Sequence, residues 1–107
     1  MRFLLRVTFP IEAGNAMVRD PEFGAKMQAI LEAVHTETAY FVADGGNRTA
    51  YVAVNIKESS EIPSVCEPFF LTFNAKVEFL PAMTAADLAR SGLDQLTKTY
   101  TASYAKT

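Results

Sequence analysis

Residues 38–56 read TAYFVADGGNRTAYVAVNI. Two runs rich in Tyr, Phe, Val and Thr are joined by Asp44-Gly45-Gly46-Asn47, and adjacent glycines supply the positive φ angles that a tight antiparallel turn demands. The middle of the chain is therefore a hairpin, with strands over 38–44 and 48–56. If its loop has two residues, Tyr40 lies opposite Tyr51. Everything before and after must be built around that ribbon.

Residues 2–9, RFLLRVTF, alternate with period two, so Phe3, Leu5, Val7 and Phe9 share one face and Leu4, Arg6 and Thr8 the other. Residues 75–81 alternate in the same way, with Val77 and Phe79 opposed to Lys76, Glu78 and Leu80. Between the first strand and the hairpin, Glu12-Ala13-Gly14-Asn15 reads as a turn. Asp20-Pro21 then supplies an N-cap with Pro at the first helical position. Phe23, Met27, Ile30, Leu31 and Val34 form the apolar stripe of a helix that ends near His35. After the hairpin, Ser59 and Ser60 cap a second helix with Ile62, Val65, Cys66 and Phe69 on one side, and Pro68 is expected to end or kink it. Thr84-Ala85-Ala86-Asp87 resembles a capping box opening a last helix, weakened at Ser91-Gly92, whose Leu93, Leu96, Tyr100 and Tyr104 recur at helical spacing. Such a stripe predicts a terminal segment docked on its own body or on a neighbour.

The order β-α-β-β-α-β plus a terminal helix predicts an α+β, ferredoxin-like fold with a four-stranded antiparallel sheet in the order 4-1-3-2. Pairing the first and fourth strands sets Phe9 against Ala75, Val7 against Val77 and Leu5 against Phe79. The same register sets Leu4 against Leu80, Arg6 against Glu78 and Thr8 against Lys76. One face is apolar and meets the helices. The other carries Leu4, Tyr40, Val42, Tyr51 and Leu80 around an Arg6–Glu78 pair. At about 4.8 Å between strands and about 3.3 Å per residue, it presents on the order of 400 Å², large for an exposed monomer surface. A second copy covering Leu4, Arg6, Tyr40, Tyr51, Glu78 and Leu80 is the expected explanation.

The 107 residues suit one domain spanning 1–107. With a net charge of −2 and no Lys/Arg run, neither nucleic acid nor an anionic membrane is an expected partner. The lone Cys66 makes neither a disulfide nor a thiolate cage, which suits a reducing compartment, and residues 1–6 carry two arginines where a signal peptide needs an apolar core. A cytoplasmic location follows as the expectation. There is no Walker loop, Ser/His/Asp constellation or HExxH, so neither cofactor nor metal is expected.

Chemistry-bearing residues gather at two rims. Glu12, Asn15, Asp44, Arg48 and Asn74 fall at one and His35, Glu37, Lys57 and Met83 at the other. Because seven-residue strands span roughly 23 Å, His35 and Arg48 cannot share one small site. His35 beside Glu37 has the makings of a general base or an axial haem ligand, set against a histidine complementing a helix dipole. At the opposite rim, Asn15 offers a donor and an acceptor, Gly14 lets a ligand approach the backbone, and Arg48 has the shape to hold a carboxylate. Phe9 and Phe41 supply apolar walls. No catalytic residue can be named. Cys66 on an apolar stripe is expected to be buried and inert.

Residues 12–15, the stretch from Ala39-Tyr40-Phe41 through Gly46 with Arg48 and Thr49, Glu67-Pro68-Phe69-Phe70-Leu71, and Pro81-Ala82-Met83-Thr84 with Asp87-Leu88 together resemble a family of short uncharacterised bacterial proteins. More broadly the chain resembles the dimeric α/β-barrel superfamily, in which ferredoxin-like protomers pack their sheets face to face. That resemblance implies a homodimer. Its members range from cofactor-free monooxygenases, lactone isomerases and haem-handling enzymes to plain ligand-binding and stress proteins, so the resemblance carries over no reaction. Two functions stand as expectations. One is a homodimeric protein binding a small apolar or aromatic ligand between sheet and helices near Phe9, Asn15, Phe41 and Arg48, with or without cofactor-independent catalysis. The other is an assembly module whose sheet face serves only self-association.

Overall fold

A computed structural model describes the backbone of residues 1–105 and the side chains of 1–101. Strand β1 (Arg2–Thr8) leads through helices α1 (Ile11–Arg19) and α2 (Phe23–Ala33) to the hairpin of β2 (Thr38–Asp44) and β3 (Asn47–Asn55). A short 3-10 turn (Ser59–Glu61) opens α3 (Ile62–Phe73), which is followed by β4 (Lys76–Pro81), α4 (Ala85–Ala89) and α5 (Leu93–Ala105). The result is an α+β chain with one four-stranded sheet ordered β2-β3-β1-β4, the expected 4-1-3-2 seen from its other edge, and every neighbouring pair is antiparallel.

The registers follow from alternation and the turn. Gly45 and Gly46 have φ of 58° and 79°, and Asp44 faces Asn47 across a two-residue loop, which puts Tyr40 opposite Tyr51. Leu4 pairs with Leu80, Leu5 with Phe79, Arg6 with Glu78, Val7 with Val77 and Thr8 with Lys76. Leu5, Val7 and Phe9 join Ala50, Val52 and Val54 beneath Met27, Ile30 and Val34 of α2 and Val65, Phe69 and Phe73 of α3. Each large apolar side chain buried there contributes about 1.5–3 kcal/mol.

One expectation is corrected and two lose one of their alternatives. Residues 12–15 are not a turn: they lie inside α1, which starts after Pro10 in extended conformation and has Glu12 in its first turn, with Ala13 and Met17 half-buried one helical turn apart. The chain from there to β2 thus holds two helices, and Asp20 joins them by accepting the Glu22 N–H at 2.9 Å. Pro68 does not end α3, which runs on to Phe73 and stops where Asn74 takes a left-handed conformation, φ 56°. The carbonyl deprived of its helical bond belongs to Ser64, at an exposed position, while Phe69 and Phe73 anchor the following turns in the core.

The C-terminal segment, finally, does not dock on its own body. The Thr84–Asp87 capping box forms and the helix breaks at Ser91-Gly92 as expected, but Leu93, Leu96 and Tyr100 are exposed. A radius of gyration of 18.5 Å, against about 13 Å for a compact chain of 100 residues, records this arm reaching away from the sheet. The Tyr104 side chain lies outside those described. Among the described residues no helix is long and apolar enough to cross a membrane.

Candidate functional site

Alternation along the hairpin sends Phe41 and Arg48 to the helix side of the sheet, near the turn. Arg48 pairs with Ala43 and Phe41 with Ala50, and the Phe9 N–H donates to the Arg48 carbonyl at 3.0 Å. Pro10 then turns the chain into α1, which carries Gly14 and Asn15 over the Arg48 side chain. Nη1 of Arg48 donates to Oδ1 of Asn15 at 2.9 Å. Gly14 is buried, and a Cβ placed on it would stand 3.0 Å from that same Nη1 and 3.6 Å from Cδ of Arg48. A glycine inside a helix costs about 1 kcal/mol relative to alanine. Here the missing methyl is the space that the arginine occupies.

Beside this contact lies an apolar cleft of about 410 Å³ bounded by Phe9, Met17, Val18, Phe23, Phe41 and Arg48. Phe9 is buried and stacks edge-on with Phe73 at 5.6 Å, and Phe23 meets the same ring at 6.1 Å. The floor is thus tied into the core, while Phe41 and Val18 stand 57% and 49% exposed. Of the residues expected to bind ligand, Phe9, Phe41 and Arg48 line this cleft and Asn15 holds Arg48 from α1. Met17, Val18 and Phe23 were not foreseen. Pro10 with an acidic residue, Glu12, two positions on, and Ala13 and Met17 four apart, was the signal for α1 and hence for its side of the cleft.

A second apolar cleft of about 430 Å³ sits at the opposite end of the helix layer, among Phe3, Ile56, Ile62 and Phe79, with Lys57 and Glu58 at its edge. There the neighbouring Glu61 carboxylate is already committed, accepting the backbone N–H groups of Glu58 and Lys57 at 2.7 Å, which hold it below the usual carboxylate range. Near that end His35 is exposed with φ 54°, and Glu37 binds Arg2 at 2.9 Å. Cys66 is buried, and burial pushes its thiol up, with Glu67 adding to the effect. Among the described residues no group of three or more His, Cys, Asp or Glu is arranged to hold a metal ion.

The face of the sheet away from the helices holds a different constellation. Asp44 has the parity of Tyr40 and Val42, so it lies on this face and not with Arg48 as its place beside the turn suggested. Nε of Arg6 donates to the Tyr51 hydroxyl at 3.1 Å, and that hydroxyl donates to Asp44 in a short bond. Arg6 is also 3.5 Å from Asp44 and 3.6 Å from Glu78, which Lys76 approaches at 3.8 Å. Its guanidinium lies 5.8 Å from the Tyr51 ring centroid, and the bond to Tyr51, followed by the carboxylates, holds its proton more firmly than usual. Two cations and two carboxylates make this four-strand network neutral. Leu4, Tyr51 and Leu80 are half-buried around it, and Tyr40 and Val42 are exposed.

No protein-family model matches the chain, and no curated protein is significantly similar to it.

Proposed function

We propose that the chain is a single domain that works as a homodimer of ferredoxin-like protomers, of the dimeric α/β-barrel kind, and binds a small apolar or aromatic molecule in the cleft between sheet and helices. The observation that carries this reading is the cleft bounded by Phe9, Phe41 and Arg48. Its volume falls at the small end of ligand sites, its walls are apolar, and one polar group is positioned on it from two elements, the pattern of a specific small-molecule pocket. It opens on the helix side, so a partner on the other face leaves it accessible. Cofactor-independent chemistry fits the same cleft without being required by it.

The dimer is supported by the other face. An internally neutralised network ringed by Leu4, Tyr40, Val42 and Leu80 loses less on desolvation than a field of unpaired charges would. That face alone, on the order of 400 Å² per copy, falls short of the roughly 800 Å² per partner of a stable interface. Leu93, Leu96 and Tyr100 of α5 supply the shortfall, since a 13-residue helix free of its own body is marginal in water. These exposed residues also favour the second reading, an assembly module with no ligand.

Sedimentation at micromolar concentration tests the dimer, and a monomer there ends that proposal. Amide chemical-shift mapping with a library of small aromatic and aliphatic compounds tests the cleft. Saturable shifts at Phe9, Phe41 and Thr49 are expected. Dimerisation with no such shifts would leave only the assembly function.

A further inference from the structure

Resting on the cleft reading above, we infer that the ligand is an organic monocarboxylate, its apolar part between Phe9, Met17, Phe23 and Phe41 and its carboxylate on the guanidinium of Arg48. Among the described residues Arg48 is the one charged residue lining that cleft. It makes no ion pair among the described residues, unlike Arg2, Arg6 and Arg90. Its hydrogen bonding is one-sided. Nη1 is spent on Asn15, and the edge formed by Nε and Nη2 has no protein partner among the described residues. That edge is the fork that takes the two oxygens of a carboxylate in parallel N–H···O bonds, a fit that a planar guanidinium offers and an ammonium does not.

The arginine is also pre-positioned. Asn15 braces Nη1 from α1, Gly14 makes room for it, and the Arg48 backbone is pinned by the Phe9 N–H. A side chain held before the ligand arrives loses less freedom on binding. Charge separates this cleft from its neighbours. The cleft on the other side of Met17 and Phe23 has its cation, Lys26, bound to Asp20 at 2.6 Å, and the far apolar cleft carries Lys57 and Glu58 together.

The test uses the full-length protein and three acids, benzoate, 3-phenylpropanoate and hexanoate, each beside its neutral primary amide, with binding followed by calorimetry and by amide shifts at Phe9, Phe41 and Thr49. At least one acid is expected to bind about tenfold to a hundredfold more tightly than its amide, the range of a charge-assisted hydrogen-bonded pair. Arg48→Gln is expected to bring the acid-to-amide affinity ratio to within about threefold of unity, whatever it does to the affinity of either compound alone. Arg19→Gln, which removes an exposed α1 cation outside the cleft lining, keeps the preference and so excludes a general charge effect. Equal binding of acid and amide to the unaltered protein would overturn the carboxylate anchor and leave the apolar cleft standing. Absence of shifts with all six compounds would overturn both.

Discussion

Arg6 and Arg48 stand on opposite faces of the same sheet, and their surroundings are opposites as well. Arg6 meets Tyr51, Asp44 and Glu78, so its charge is answered within the chain. Arg48 meets the side-chain oxygen of Asn15 and no carboxylate among the described residues. A neutralised arginine amid Leu4, Tyr40 and Leu80 suits a surface that is to be covered by protein. An arginine braced but not neutralised, beside an apolar hollow, suits a surface that awaits an anion. Residue type alone does not separate these roles, since both are arginines in alternating strands. What separates them is whether the positions across the ladder are acidic: Glu78 faces Arg6, and Ala43 faces Arg48.

The contrast is most exposed to Arg6→Glu. In a covered face this sets three carboxylates together, and the dimer dissociation constant is expected to rise by about a hundredfold or more, as when a buried pair is broken. Adding Glu78→Arg restores part of the loss, and ligand shifts at Phe9 and Phe41 stay as they were. Sedimentation velocity reads the first effect. A change below about threefold would place the network in solvent, where such pairs contribute little.

Gly14→Ala probes the other arginine with a smaller effect. The helix gains up to about 1 kcal/mol from alanine. The new methyl, 3.0 Å from Nη1, must displace an exposed guanidinium that has room to move, so the bond to Asn15 is lost. Thermal unfolding is expected to shift upward while carboxylate binding weakens and the dimer is untouched. A lower melting temperature would show that Arg48 is held too firmly to yield.

The smallest effect lies outside both regions and serves as their control in acid. Asp87 is held below the usual carboxylate range by the Thr84 backbone N–H, with help from the Thr84 side chain, Arg90 and Arg2. A depressed carboxylate stabilises the fold above its unfolded pKa, about 3.9, and that contribution fades as pH falls through the lower folded value. Fraying of α4, followed by amide shifts at Ala85 and Ala86, is therefore expected only below about pH 4. Loss of the dimer at higher pH would have to come from the sheet face instead.

The strands and their partners were legible because period-two alternation and a glycine pair leave few registers open. The same parity assigns Asp44 to the open face, but its position beside the turn grouped it with Arg48 at the rim. What stayed illegible was α1, where Ala13-Gly14-Asn15 has the local propensity of a turn and the reason for Gly14 is a side chain 34 residues away. With α1 hidden, Met17 and Val18 could not be assigned to the cleft. Of the two effects expected of Pro68, ending the helix fails because burial of Phe69 and Phe73 outweighs a lost bond at an exposed carbonyl.

The two-residue loop at Gly45-Gly46 ties the two surfaces to one integer. Tyr40 and Val42 reach the open face, and Phe41 reaches the cleft, because an even count separates Asp44 from Asn47. One inserted residue taken up as a shift of β2 would send Phe41 outward and Tyr40 inward, exchanging the furnishings of both surfaces in a single step. A bulge that absorbed the insertion would spare them. The length of this turn therefore sets both surfaces at once, and neither can be refaced through it without the other.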